Sequence, residues 1–177
     1  ILVPITAEDA IVDEGLEILL RAWTGARFSY EGKYHQVRAV QLNVLPLQKP
    51  RPPIWIAILR NAAAPFVGQK RFPIMLIPYV SPEQGTDLGD TVRAFRQAFV
   101  SAGGRPEEAT VPFGLHTYCA ESLEEARAHA KDAMDRYVRT RLYATQRPFE
   151  LLVEKNLVAF GSPDEVARVA RRYEEAG

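Results

Sequence analysis

The chain has 177 residues, 47% of them hydrophobic, enough for one domain with a sizeable core. Its 22 basic and 22 acidic residues balance and interleave without a run of one sign. Attraction to nucleic acid or to an anionic membrane is therefore not expected, and small molecules or protein surfaces are the expected partners.

Ile1-Leu2-Val3-Pro4 opens the chain on an apolar tetrad without a methionine, and Glu174-Glu175-Ala176-Gly177 closes it as a helix reaching a glycine stop. Both ends read as cuts through a larger domain, so residues 1–177 are expected to form a single partial domain. No apolar run approaches the roughly 20 residues of a membrane span, and the start lacks the basic and apolar blocks of a signal peptide, so a cytoplasmic protein is expected.

Thr6, with Asp9 three positions on, has the form of a capping box, and Val12, Leu16, Leu19 and Trp23 then recur at helical spacing until Gly25. Phe28 to Tyr34 alternates around Glu31-Gly32 as a small hairpin does, inserted outside the main sheet, and Val40 to Leu47 offers a further extended piece. Pro50, Pro52 and Pro53 forbid regular structure and lead into Ile54 to Leu59, an unbroken apolar run read as a fully buried parallel strand. A short alanine-rich helix is expected over Asn61 to Gly68, and a second apolar strand over Pro73 to Tyr79. Asp90 to Ala102 carries Val92, Phe95, Phe99 and Val100 on a helical face that Gly103-Gly104 stops.

Val111 to Ala120 reads as the third strand. It contains the only cysteine, Cys119, which excludes an internal disulfide and is expected to be a buried structural thiol in a reducing compartment. Ser122 with Glu125 is a capping box opening a long helix through Ala126, Ala130, Ala133 and Tyr137. After a poorly periodic stretch around Pro148, Ser162-Pro163-Asp164-Glu165 supplies a cap, a proline at the first helical position and a glutamate at the third, and Val166, Val169 and Tyr173 form that helix's apolar stripe.

Continuous apolar strands alternating with helices mean a parallel sheet covered by helices on at least one face. Either a doubly wound sheet or a (β/α)8 barrel fits that order. A whole barrel takes about 250 residues, so a barrel here is an incomplete one, with about three parallel strands. In both architectures ligands bind beyond the C-terminal strand ends, which points to Leu59–Ala62, Ile77–Ser81 and Cys119–Ser122. Arg60 and Asn61 precede a helix start and suit a phosphate, or else serve as a solvent-facing cation and a cap. Tyr79 either walls a planar ligand or packs at the rim, and His116 faces either the barrel interior or the helix layer, where a satisfied core histidine is the simpler reading. His35 and His129 read as solvated surface, and Ser122 and Ser162 as caps. Sequence patterns for dinucleotide, P-loop, zinc and serine-hydrolase sites do not occur, so no metal is expected.

Glu17-Ile-Leu-Leu-Arg-Ala-Trp-Thr-Gly25, Phe28-Ser-Tyr-Glu-Gly-Lys-Tyr-His35 and Pro46-Leu-Gln-Lys-Pro-Arg-Pro-Pro-Ile-Trp-Ile-Ala57 follow one another in an order and spacing that resemble bacterial luciferase-like monooxygenases, which are flavin-dependent oxidoreductases. Gly68 with Phe72 to Tyr79, His116-Thr-Tyr-Cys-Ala-Glu121 with Glu125-Ala126-Arg127, and Gly161-Ser-Pro-Asp-Glu-Val166 are similar to later parts of the same pattern. The resemblance implies an α/β fold of the (β/α)8 TIM-barrel type, with these strands as its fifth to seventh. It also implies reduced FMN, or in some branches F420, at the barrel mouth, and oxidation of a small organic substrate with O₂. A homodimer and a separate flavin reductase are implied partners. Carried onto this chain, cofactor contacts are expected at Ala57, Arg60, Asn61, Ala62 and Gly68 and substrate contacts at Tyr79 and His116, with no catalytic residue identified. Relatives commonly hold the flavin phosphate with a serine-containing turn, whereas here the turn is Leu59-Arg-Asn-Ala-Ala-Ala64. The early strands that supply much of the family's pocket are not in this sequence.

Overall fold

A computed structural model describes residues 5–80, 88–140 and 146–176. The chain divides into two compact units, Ile1–Pro53 and Ile54–Gly177.

The first unit contains helix α1 (Ile5–Ala22) and an antiparallel hairpin of β1 (Phe28–Glu31) and β2 (Gln36–Val40). Thr6 lies within α1, and the side chains of Thr6 and Asp9, on which the expected capping box rests, lie outside the described residues. The hairpin turn is Gly32–His35, closed by the Gly32 N–H donating to the His35 carbonyl at 2.9 Å, and so falls later than the expected Glu31-Gly32. No strand forms over Val40 to Leu47 beyond the end of β2. Of the expected helix stripe, Val12 and Leu19 are exposed.

Glu14 ties the helix to the turn. Its carboxylate accepts the backbone N–H groups of Lys33 (2.8 Å), Tyr34 (2.9 Å) and His35 (2.9 Å), with His35 Nδ1 at 3.4 Å. Desolvation pushes the Glu14 pKa up, but the N–H groups of Tyr34, His35 and Lys33 together outweigh it and hold the carboxyl below its ordinary range. His35, expected on the solvated surface, is instead half-buried at this junction.

The second unit runs β3 (Ile56–Ile58), a 3₁₀ turn (Asn61–Ala63), α2 (Ala64–Gln69), β4 (Ile74–Leu76), α3 (Leu88–Ser101), β5 (Thr117–Cys119), α4 (Leu123–Thr140), α5 (Phe149–Glu154), β6 (Ala159–Gly161) and α6 (Pro163–Ala176). β3 pairs in parallel with β4, and β5 with β6. The segment before β5 links the two pairs: the Leu76 N–H donates to the Pro112 carbonyl (3.1 Å) and the Gly114 N–H to the Leu76 carbonyl (2.8 Å). The expected third strand, Val111 to Ala120, thus bonds one neighbour with its first part and the other with its last. β6 adds a fourth parallel strand that three residues are too short to announce by periodicity. The described strands do not close into a barrel.

Three apolar clusters hold this unit. Ile58, Ile74 and Leu76 pack with Val67, Val92, Phe95 and Phe99 of α2 and α3. Phe160 and Val158 pack with α4 and α5 through Met134, Val138, Phe149 and Leu152. Ala159 packs with Val169 and Tyr173 of α6. Both later capping boxes form as expected: the Glu125 N–H donates to Ser122 Oγ (3.1 Å), and Glu165 accepts the Ser162 N–H (2.8 Å).

The run Ile54–Leu59 is buried on one side only, since Ala57 and Leu59 are exposed. Cys119 is exposed as well, contrary to expectation. Among the described residues β5 pairs over Thr117–Cys119 with β6, and all three of its residues are exposed. No helix of the described residues is long and apolar enough to cross a membrane.

Candidate functional site

Four of the residues expected to meet a cofactor gather at the C-terminal end of β3. Ala57 is exposed while its neighbours Ile56 and Ile58 join the core against α2 and α3. Arg60 follows in extended backbone (φ −122°, ψ 130°) with its side chain in solvent, and Ala62 is exposed. Asn61, between them, is only 8% exposed, and neither Nδ2 nor Oδ1 has a hydrogen-bond partner. A buried amide left in that state costs about 1–3 kcal/mol.

The fifth, Gly68, is buried in the α2–α3 contact. A Cβ there would stand 2.7 Å from the Phe95 carbonyl oxygen and 3.1 Å from the Ala98 Cβ, so the packing of two helices accounts for glycine at this position.

Tyr79 and His116, the expected substrate residues, come together in space with a third ring from α4. The ring centroids lie 5.1 Å apart for Tyr79 and His116, 4.5 Å for His116 and Tyr137, and 5.7 Å for Tyr79 and Tyr137. The Tyr79 hydroxyl donates to the Tyr137 hydroxyl at 3.0 Å. His116 therefore faces α4. Arg147 Nη1 donates to the Tyr79 carbonyl at 2.6 Å, and burial lowers the Arg147 pKa from its ordinary value. Tyr137 was legible only as a member of the Ala126, Ala130, Ala133 stripe, and nothing near Arg147 in sequence signals its reach to Tyr79.

Beside this cluster an open cavity of about 220 Å³ lies between α4 and the β5–β6 pair, lined by His116, Thr117, Tyr118, Ala130, Ala133, Met134, Tyr137 and Phe160. Tyr118 also meets His129, with its hydroxyl 3.1 Å from Nδ1, so His129 has a ring neighbour as well as solvent. Among the described residues no group of histidine, cysteine, aspartate or glutamate side chains could hold a metal ion.

The chain is similar to known proteins along most of its length. The model of the luciferase-like monooxygenase family matches residues 3–177. An uncharacterised protein, y4vJ, of Sinorhizobium fredii is 46% identical over 48 residues, which are 27% of this chain and 14% of that one. The crystal structure of the monooxygenase RslO1 from Streptomyces bottropensis superposes with a TM-score of 0.79 at 26% identity, covering 98% of this chain and 53% of that one. At 20% identity, the oxygenating constituent of 3,6-diketocamphane monooxygenase from Pseudomonas putida, solved with FMN, has a TM-score of 0.65 over 95% of this chain and 53% of its own. The coenzyme F420-dependent tetrahydromethanopterin reductase of Methanopyrus kandleri shares 15% identity and a TM-score of 0.70 over 95% and 55%. The last two establish likeness of fold alone. This chain spans about half the length of these solved relatives. The match along nearly all of its residues shows that the chain belongs to the luciferase-like monooxygenase family.

Proposed function

We propose that this chain is part of a flavin-dependent monooxygenase in which the turn after β3 holds the phosphate end of FMN. The carrying observation is Asn61, whose amide is buried and unpartnered where the exposed Arg60 supplies a positive charge. Asn61 Nδ2 would donate to a phosphate oxygen and the exposed Arg60 guanidinium would supply a positive charge beside it, in place of the family's serine. The helical segment that follows is short, a 3₁₀ turn and the six residues of α2, so these side chains rather than a helix terminus are the assigned contacts. Gly68 acts indirectly, letting α2 sit close enough to α3 to fix the turn.

When bound, reduced FMN supplies the electrons with which O₂ oxidises a small organic substrate. Of the chain's own residues, Arg60 and Asn61 would hold the phosphate, and the packed Tyr79, His116 and Tyr137 rings would support the substrate side from behind. F420 is the second reading, favoured by the likeness in fold to an F420-dependent reductase.

The experiment is a titration of the protein, in the longest form its gene encodes, with FMN and with F420, for wild type and for Asn61→Leu. If Asn61 holds the phosphate, the variant weakens binding of the preferred cofactor at least tenfold. Unchanged affinity, together with a higher melting temperature, would make Asn61 an unsatisfied core residue and remove the basis for placing the phosphate here.

A further inference from the structure

We propose that the hairpin turn Gly32–His35 is a binding site for a small carboxylate and that Glu14 of α1 is its tethered occupant, which a free monocarboxylate replaces once the glutamate is removed. The donors are already arranged for such a ligand. Glu14 Oε1 accepts from the Lys33 N–H (2.8 Å), while Oε2 accepts from those of Tyr34 (2.9 Å) and His35 (2.9 Å). Successive backbone N–H groups turned to one side form an anion-binding concavity. Here they are divided between two oxygens, which suits the flat fork of a carboxylate better than a spherical halide.

The space at the turn points the same way. Gly32 has its φ outside the left-handed region, so its backbone conformation does not demand glycine. The occupant does. A Cβ at Gly32 would collide with the Glu14 carboxylate and stand 2.6 Å from Tyr30 Cε1. The turn also has support of its own: the Gly32 N–H donates to the His35 carbonyl at 2.9 Å, and Tyr30 and Glu31 pair with Val37 and Gln36. The three donors therefore stay converged when Glu14 is gone. The Glu14 side chain is 15% exposed in its seat, and the N–H groups favour its charged form, in keeping with its lowered pKa. This site lies wholly in the first unit and is independent of the flavin reading.

The test is a titration with acetate, at constant ionic strength with chloride as the balancing anion, of wild type and Glu14→Ala in the longest form the gene encodes. It is read from the amide NMR signals of Lys33, Tyr34 and His35. In Glu14→Ala, acetate is expected to shift all three saturably. Tethering keeps Glu14 at a high effective concentration, so the wild-type amides are expected to shift at least fivefold less. Adding Gly32→Ala fills the cradle and weakens acetate binding at least tenfold. Should Glu14→Ala lose the hairpin, Glu14→Gln keeps the length of the side chain, and acetate is expected to slow amide exchange at the same three residues. Absence of a saturable acetate response in both variants overturns the proposal, as does an equal response in wild type. Chloride bound as tightly as acetate overturns the carboxylate assignment.

Discussion

The two units of this chain are held by different forces. Up to Pro53, no residue whose side chain is described is fully buried, and large apolar groups stand in water, with Val44 82% and Leu47 94% exposed. Hydrogen bonds do the joining there: Glu14 collects three backbone N–H groups of the hairpin turn, and Gln41 Nε2 donates to the Gly25 carbonyl at 2.9 Å. From Ile54 onward the order reverses. Phe95, Ala64, Ile74, Leu76 and Leu152 have no exposed surface at all, and the hydrogen bonds of the short strands are shielded by apolar side chains. An amphipathic pattern thus predicts a helix in both units but predicts burial only where a sheet is present to receive the apolar face.

The largest effect that would break this contrast lies in the second unit. Phe95→Ala is expected to destabilise by about 3–5 kcal/mol in denaturant unfolding, the usual cost of emptying a buried aromatic site, whereas Leu47→Ala should stay within about 0.5 kcal/mol. Comparable losses would mean that the first unit has a core too.

Next comes Gly68→Ala, which forces a methyl group against the Phe95 carbonyl and should cost about 1–3 kcal/mol by the same measurement. No loss would show that α2 can shift away from α3. Ser162→Ala removes the hydroxyl that caps α6 and should cost about 1 kcal/mol, with faster amide exchange in the first turn of that helix.

The subtlest test concerns Glu14. Its pKa is lower in the folded chain than in the unfolded one, so it stabilises the first unit above the ordinary carboxylate range, and that contribution is lost as pH falls through the depressed folded value. Amide exchange at Lys33, Tyr34 and His35 should therefore quicken on acidification, and Glu14→Gln should raise it at neutral pH and flatten its pH dependence. Exchange insensitive to both would show that the turn holds without this carboxylate.

The proposed cofactor and substrate regions differ in how far the sequence could reveal them. A strand end followed by Arg60 and Asn61 was visible as a place for a phosphate, because chain order alone puts those residues beyond β3. The side-chain cluster was visible only in pieces. Tyr79 and His116 could be singled out, but Tyr137 lies 58 positions from Tyr79 and Arg147 lies 68 away, and their association depends on how distant parts of the chain fold together.

By itself the sequence determined the helices other than α5, the two later capping boxes, the proline-led approach to β3 and the parallel α/β order, since these follow from neighbours a few residues apart, whereas the stretch after Pro148 gave no sign of α5. Only the tertiary structure decided which apolar faces are covered. Cys119 and Ala57 sit in apolar runs yet are exposed, Asn61 is polar yet buried, and β6 becomes a strand because β5 lies beside it. Burial and strand pairing are properties of what comes to rest against a residue, and that partner is contributed by distant parts of the chain.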